Sequence, residues 1–157
     1  HKHTYGEFGM QYHTNLGKIG RVAVLGGYGQ GSASAVDTYS FNDTPSEIKA
    51  TGKYGKFFVQ PNIGLETKVV DVGLALRVGH VIFTEFETNN AIYDDSESAT
   101  FFEPGLFVRL GWQTVKLEAQ LGYSVPMQGD NQVKFQYEPF FLSFGVQLKL
   151  DDLLVDQ

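Results

Sequence analysis

The chain contains no cysteine, which excludes disulfides, thiolate metal ligands and a cysteine nucleophile. Charge is sparse as well. Asp, Glu, Lys and Arg make up 19% of the 157 residues, against about 25% in an average domain. What charge there is leans acidic, with a formal net of −6. No basic stripe runs along any segment, so no nucleic-acid partner is expected. No apolar run approaches the roughly 18 to 20 residues of a membrane helix, and helical periodicity is nearly absent. These absences leave one all-β domain. They do not exclude a membrane barrel, whose lumen-facing and lipid-facing residues alternate and cancel in any hydropathy window.

What is present is glycine (18 residues), aromatics (14%) and period-two alternation along most of the chain. From Val70 to Ile82, Val70, Val72, Leu74, Leu76, Val78, His80 and Ile82 share one face, opposite Asp71, Gly73, Ala75, Arg77, Gly79 and Val81. Phe102, Pro104, Leu106, Val108, Leu110 and Trp112 oppose Glu103, Gly105, Phe107, Arg109 and Gly111. Val115, Leu117, Ala119, Leu121, Tyr123, Val125 and Met127 oppose Lys116, Glu118, Gln120, Gly122 and Ser124. Phe140 to Leu150 and Phe57 to Leu65 repeat the pattern, and shorter versions cover Glu7–Tyr12 and Arg21–Leu25. This reading gives seven strands, over 4–13, 18–31, 50–67, 70–86, 99–112, 114–127 and 134–150.

The intervening segments alternate in length. Short turns fall near 15–18, 68–69 and 113, and longer polar connections at 32–49, 87–98 and 128–133, rich in turn formers such as Asn42-Asp43-Thr44-Pro45. Gln60-Pro61, Glu103-Pro104 and Glu138-Pro139 each follow an aromatic cluster, so the unit repeats as a hairpin. Proline has no N–H and favours strand starts, edges and bulges. The three pairs are therefore expected at the rim of the long connections, with a β-bulge near Pro139–Phe141, where the apolar phase slips by one residue.

Three arguments turn the apolar face outward. An eight-stranded barrel is filled by its own inward side chains, and six or seven large apolar residues per strand would overfill it. Next, the polar face carries Gly64, Gly73, Gly79, Gly105, Gly111, Gly122 and Gly145, and glycine weakens a solvated strand. In a narrow lumen it makes room for long side chains. Finally, the alternating segments reach or exceed the 9–11 residues a tilted membrane strand needs. The expected fold is thus all-β: a closed antiparallel transmembrane β-barrel of about eight strands, seven of them in this chain, with a filled polar lumen. The barrel occupies 1–150, and 151–157 form a periplasmic tail. Glu66, Arg77, Glu103, Arg109, Lys116 and Glu118 are the expected lumen network, with Arg77 and Arg109 paired to carboxylates among them. Tyr12, Phe57, Phe102, Trp112, Tyr123 and Phe140 are the expected interfacial aromatics.

With the strand pattern and the run from Glu103-Pro104 to Arg109-Leu110-Gly111 in view, the chain resembles the small outer-membrane β-barrel proteins of the OmpA-barrel and OmpX type. It is similar too to the outer-membrane β-barrel domains common in Bacteroidetes. The resemblance covers nearly the whole chain and implies the outer membrane of a Gram-negative bacterium, with lipid and lipopolysaccharide as surroundings. It implies no activity. Such proteins often end on an aromatic residue used in assembly, whereas here Asp151–Gln157 follow Leu150.

No catalytic, cofactor or metal residues are expected. His80 lies on the apolar face, but Ile82 occupies the position where a lipid A deacylase-like site needs serine, leaving Thr84 and Glu85 nearby. Asp94, Asp95 and Glu97 lack EF-hand spacing. The glycines of Gly26–Gly31 precede no helix, so a phosphate loop is not expected. The expected function is non-enzymatic, a structural or interaction role, including that of an accessory subunit of a larger outer-membrane complex. A lipid-modifying enzyme and a soluble lipocalin-like carrier are the alternatives. Seven strands leave a barrel open, so an eighth strand before His1 is expected, or else a lipid-anchored surface protein whose open edge a partner subunit seals.

Overall fold

Period-two sequence becomes strand wherever it occurs. The computed structural model describes the backbone at 2–41, 44–88, 91–93, 98–112, 114–127 and 139–149, and the side chains at 4–34, 51–84, 98–112, 114–127 and 139–149. It contains β1 (Lys2–Leu16), β2 (Gly20–Phe41), β3 (Thr44–Glu66), β4 (Val70–Thr88), β5 (Ala91–Tyr93), β6 (Ser98–Gly111), β7 (Val115–Tyr123), β8 (Val125–Pro126) and β9 (Phe140–Leu148). All pairings are antiparallel, in the order β1-β2-β3-β4-β6-β7-β9. The short β5 extends the β4 end, and β8 continues β7 alongside β6 after a break at Ser124. The sheet is an open half-barrel. Among the described residues, β1 and β9 are not paired with each other. The seven long strands of the path match the seven expected from the sequence.

Tight turns join the strands at one end. The β1–β2 turn places Gly17 at φ 74, a left-handed conformation that glycine adopts without steric cost. At Thr67–Val70 the Thr67 hydroxyl donates to the Val70 carbonyl (2.6 Å) and accepts from its N–H (2.9 Å), closing the β3–β4 turn. The β6–β7 turn contains Gln113, which lies outside the described residues.

The long-connection end differs from expectation. Residues 32–49 are not a loop: β2 and β3 continue as paired strands to Phe41↔Thr44. The 87–98 connection begins as strand too, with β5 folded back on the end of β4. Its Asp94, Asp95 and Glu97 lie outside the described residues, as do 128–133, the Glu138 of the third proline pair, Leu150 and the 151–157 tail.

Two prolines sit in mid-strand rather than at a rim. Pro61 pairs with Val24 on β2, but the β3–β4 ladder skips from Val59↔Val78 to Asn62↔Ala75. Pro104 pairs with Leu76 on β4, and the ladder on its other side is interrupted between Phe102↔Val125 and Gly105↔Gly122. Each proline lacks the N–H its ladder would use, and each lets the neighbouring pairs keep register. Pro139 does lie at a strand start, where its carbonyl accepts from the Ser124 N–H at 2.6 Å. No bulge follows it, since the β7–β9 ladder runs regularly from Val115↔Leu148 to Tyr123↔Phe140. The register shift falls instead at Lys53/Tyr54, opposite the extra residue Thr84.

The two faces of the sheet are inverted relative to a water-soluble protein. The convex face exposes Val70, Val72, Leu74, Leu76 and Val78 on β4, Leu117 and Leu121 on β7, and Leu142, Phe144 and Val146 on β9. The concave face buries Arg21, Gln60, Asn62, Asp71, Arg77, Glu103, Arg109, Lys116 and Gln120. All six expected interfacial aromatics face outward, from Trp112 at 80% exposed to Phe102 at 37%. Phe8, Tyr28 and Phe57 form a ladder across β1, β2 and β3, with centroids 6.3 and 4.7 Å apart, and Tyr123 meets Phe140 edge-on at 4.9 Å.

The inward glycines have a steric explanation. A Cβ on Gly27 would come within 2.5 Å of the Phe58 ring, one on Gly31 within 2.5 Å of Tyr54, and one on Gly73 within 2.6 Å of Phe107. Each glycine is the seat of a large inward side chain on the neighbouring strand. Gly73→Val should therefore overpack the concave face and cost about 1–3 kcal/mol, read as a lower urea midpoint for the folded protein.

Candidate functional site

Among the described residues, polar chemistry is concentrated on the concave face, and it is built in tiers. Nearest the tight turns, Glu66 pairs with both Arg21 and Lys149. Beside it the Lys116 Nζ donates to Asp71 Oδ1 (2.5 Å) and to the Thr67 carbonyl (3.1 Å), and Asp71 also accepts from the Thr67 N–H (3.2 Å). Lys116 and Asp71 are the most enclosed of these pairs, with side chains 2% and 4% exposed. Removing two charges from water is costly unless they meet with good geometry and further hydrogen bonds; Lys116 and the Thr67 N–H engage Asp71 Oδ1, while Asp71 Oδ2 is buried without a partner.

In the next tier, Arg109 Nε donates to Glu118 (2.5 Å) while its guanidinium lies 4.2 Å from the Phe107 ring centroid and reaches Gln11 at 3.5 Å. Above it, Arg77 makes a two-pronged contact with Glu7 (2.8 and 2.9 Å), donates from Nε to Gln60 (2.6 Å) and stacks 4.3 Å over Phe58. Paired parallel N–H···O bonds of this kind are the strongest ionic contacts available to arginine. Lys56 then grips both Glu103 oxygens at 2.6 Å, and Ser124 donates to Glu103 at 3.2 Å. Lys56 crosses β4 to get there, over Gly79, where a Cβ would lie 2.5 Å from its Cε. An apolar cap of Val81, Phe83, Ala99 and Phe101, with Tyr54 packed on it, closes the tiers, and Tyr5 stacks on Tyr54 at 5.9 Å.

All six expected lumen residues therefore face inward and are ion-paired, but the partners differ from expectation. Arg109–Glu118 forms as read. Arg77 takes Glu7 rather than Glu66, Glu103 or Glu118, although Glu103 is its ladder neighbour on β6. Lys56 has already claimed Glu103, and the curl of the sheet carries β1 over β4. Glu7, Lys56, Asp71, Arg21 and Gln60 were missed as members of the network. Their signal was parity, since each occupies the glycine-bearing face of its strand.

Among the described residues, the other reactive side chains form no second site. His80 faces outward and its Nδ1 lies 2.9 Å from the Thr100 hydroxyl on β6, while Thr84 turns to the Lys53 carbonyl. Among the described residues no three His, Asp or Glu side chains gather as metal ligands. The glycines of Gly26–Gly31 lie within β2, and no helix follows them. Inside the network the space is a cavity of about 10 Å³ between Arg21, Asn62, Glu66, Asp71 and Arg109. At the turn end the concave face widens to a mouth of about 550 Å³ between Asn15, Lys18, Glu66, Lys68 and Lys149. No protein-family model matches the chain, and no curated protein or solved structure matches it.

Proposed function

We propose that this chain is a transmembrane β-barrel of a bacterial outer membrane, completed to about eight strands, with a structural or interaction role and no enzymatic one. The observation that supports it is the inversion of the sheet: the apolar residues line the outside and the ion pairs the inside. Water would penalise that arrangement at about 25 cal/mol for each Å² of apolar surface left exposed, and large exposed apolar patches mark surfaces that something apolar covers. Bilayer hydrocarbon removes the penalty. The shortest long strands, β7 and β9, have nine residues each, which suits the 9–11 of a tilted crossing. A lipocalin-like carrier needs the opposite polarity, an apolar cavity inside.

The inward charges are engaged with one another rather than presented to a substrate, so the role assigned is scaffolding or contact with envelope partners, among them lipopolysaccharide. The tight turns would then be periplasmic and the β2–β3 and β4–β6 connections external. The deciding experiment combines fractionation with labelling. The protein should stay in the membrane pellet after alkaline carbonate and need detergent for release. A membrane-impermeant maleimide on intact cells should reach Ser98→Cys and spare Lys18→Cys. Release by carbonate would sink the proposal, and labelling of Lys18→Cys alone would invert the topology. In planar bilayers the filled lumen should give no steady large conductance; a stable open level of porin size would contradict it.

A further inference from the structure

At the tight turns the concave face ends in a cationic rim. Lys18 from the β1–β2 turn, Lys68 from the β3–β4 turn and Lys149 just past β9 border its mouth of about 550 Å³. Glu66 is the one carboxylate among the described lining residues, and Arg21 and Lys149 already hold it. Three lysines against one carboxylate leave this lining at +2. Lys18 and Lys68 are exposed and make no ion pair among the described residues. No carboxylate of the next tiers draws them inward, since Asp71 is engaged by Lys116 and Glu118 by Arg109.

The chain supplies the opposite charge at the same place. The Lys149 N–H donates to the Thr114 carbonyl at 2.9 Å. Asp151 follows two residues later, so even a fully extended backbone keeps it within about 7 Å of Lys149. Segment 151–157 reads Asp-Asp-Leu-Leu-Val-Asp-Gln, with three carboxylates, no cation and a central apolar run. We propose that this segment docks across the mouth, with Asp151 and Asp152 set against Lys18 and Lys68. Its apolar run 153–155 then covers Ile19, which lines the mouth at 56% exposed. Exposed ion pairs are individually weak and salt-sensitive, and tethering is what favours this occupant. A soluble anion meets the rim at its bulk concentration, whereas a short tether gives an effective concentration on the order of millimolar. A bilayer on the convex face would hold its phosphates outside the rim, away from the mouth. Docked in this way, the segment covers the turn end of the concave face, opposite the apolar cap of Val81, Phe83, Ala99 and Phe101.

Two measurements on the full chain test it. Zero-length carbodiimide coupling of mixed isotope-labelled and unlabelled protein should join Lys18 or Lys68 to Asp151 or Asp152 within one molecule. No coupling to these aspartates, or coupling only between copies, would overturn the proposal. The second measurement uses the absence of cysteine, which lets Gln157→Cys carry a single nitroxide. A short tether keeps the nitroxide near the rim in any case, so the readout is charge dependence. Amide signals of 17–19 and 67–69 should be strongly bleached and should recover most of their intensity in the Lys18→Gln, Lys68→Gln double variant. About 1 M salt, where the Debye length is about 3 Å, should have the same effect. Both lysines are exposed, and unshifted signals from β4 and β6 report that the double variant keeps its fold. Bleaching that survives both the double variant and salt would overturn the ion-paired docking. So would bleaching relieved by a small fraction of phosphatidylglycerol in the micelle, which would make lipid phosphate the occupant.

Discussion

Lys116→Met should be the most damaging single substitution on the concave face, lowering unfolding free energy by about 3–5 kcal/mol. The methionine fills much of the same volume, so the loss is electrostatic. It leaves the Asp71 carboxylate, 4% exposed, with one remaining donor, the Thr67 N–H at 3.2 Å. Adding Asp71→Asn to that background removes the stranded charge and should recover part of the loss, with a coupling of about 1–3 kcal/mol. Glu118→Gln makes a useful contrast. The glutamine keeps an oxygen that can accept from the Arg109 Nε–H, Arg109 keeps its stack on Phe107, and the change should cost less. Urea titration of the folded protein in detergent or vesicles measures the wild type, Lys116→Met, Asp71→Asn alone, their double variant and Glu118→Gln. Equal losses for Lys116→Met and Glu118→Gln would mean that the tier is wet and the pair is not enclosed.

Alternation was enough to assign faces, because a strand's side chains point to opposite sides with period two. That is why Glu66, Arg77, Glu103, Arg109, Lys116 and Glu118 all sit inward and why Tyr12, Phe57, Phe102, Trp112, Tyr123 and Phe140 all sit outward. Pairing was not legible in the same way. Arg77 and Glu7 lie 70 residues apart on strands that share no ladder, and they meet only because the sheet curls. Lys56 reaches Glu103 because Gly79 leaves a lane across β4, a fact of register and not of composition. The β2–β3 extension was missed for a different reason. Its Ser, Ala, Thr and Asp residues lack the apolar alternation that signals a half-buried strand. Prolines misled because their preference for edges is statistical. At Pro61 and Pro104 the sheet simply forgoes one ladder bond.

The strongest discriminator between hydrocarbon and water outside the sheet is a charge placed where the apolar band is widest. Leu74 lies midway along the run of exposed apolar residues from Val70 to Val78 on β4 and is itself 50% exposed. In water, Leu74→Arg would relieve an apolar patch, and an exposed surface change of this sort stays within about 0.5 kcal/mol. At the centre of a bilayer the guanidinium must be dragged into hydrocarbon or snorkel along the strand, and the cost is about 2–4 kcal/mol. The penalty should shrink towards the ends of the band, so Val70→Arg, next to the Thr67–Val70 turn, should cost about 0–1 kcal/mol. Depth dependence is the decisive readout, because a misfolding effect of arginine would not follow position. Folding into lipid vesicles, followed by urea titration of both variants, should give a difference of at least about 1 kcal/mol between the two positions. Arginine tolerated equally well at 70 and at 74 would place the convex face in water and return the chain to the soluble β proteins.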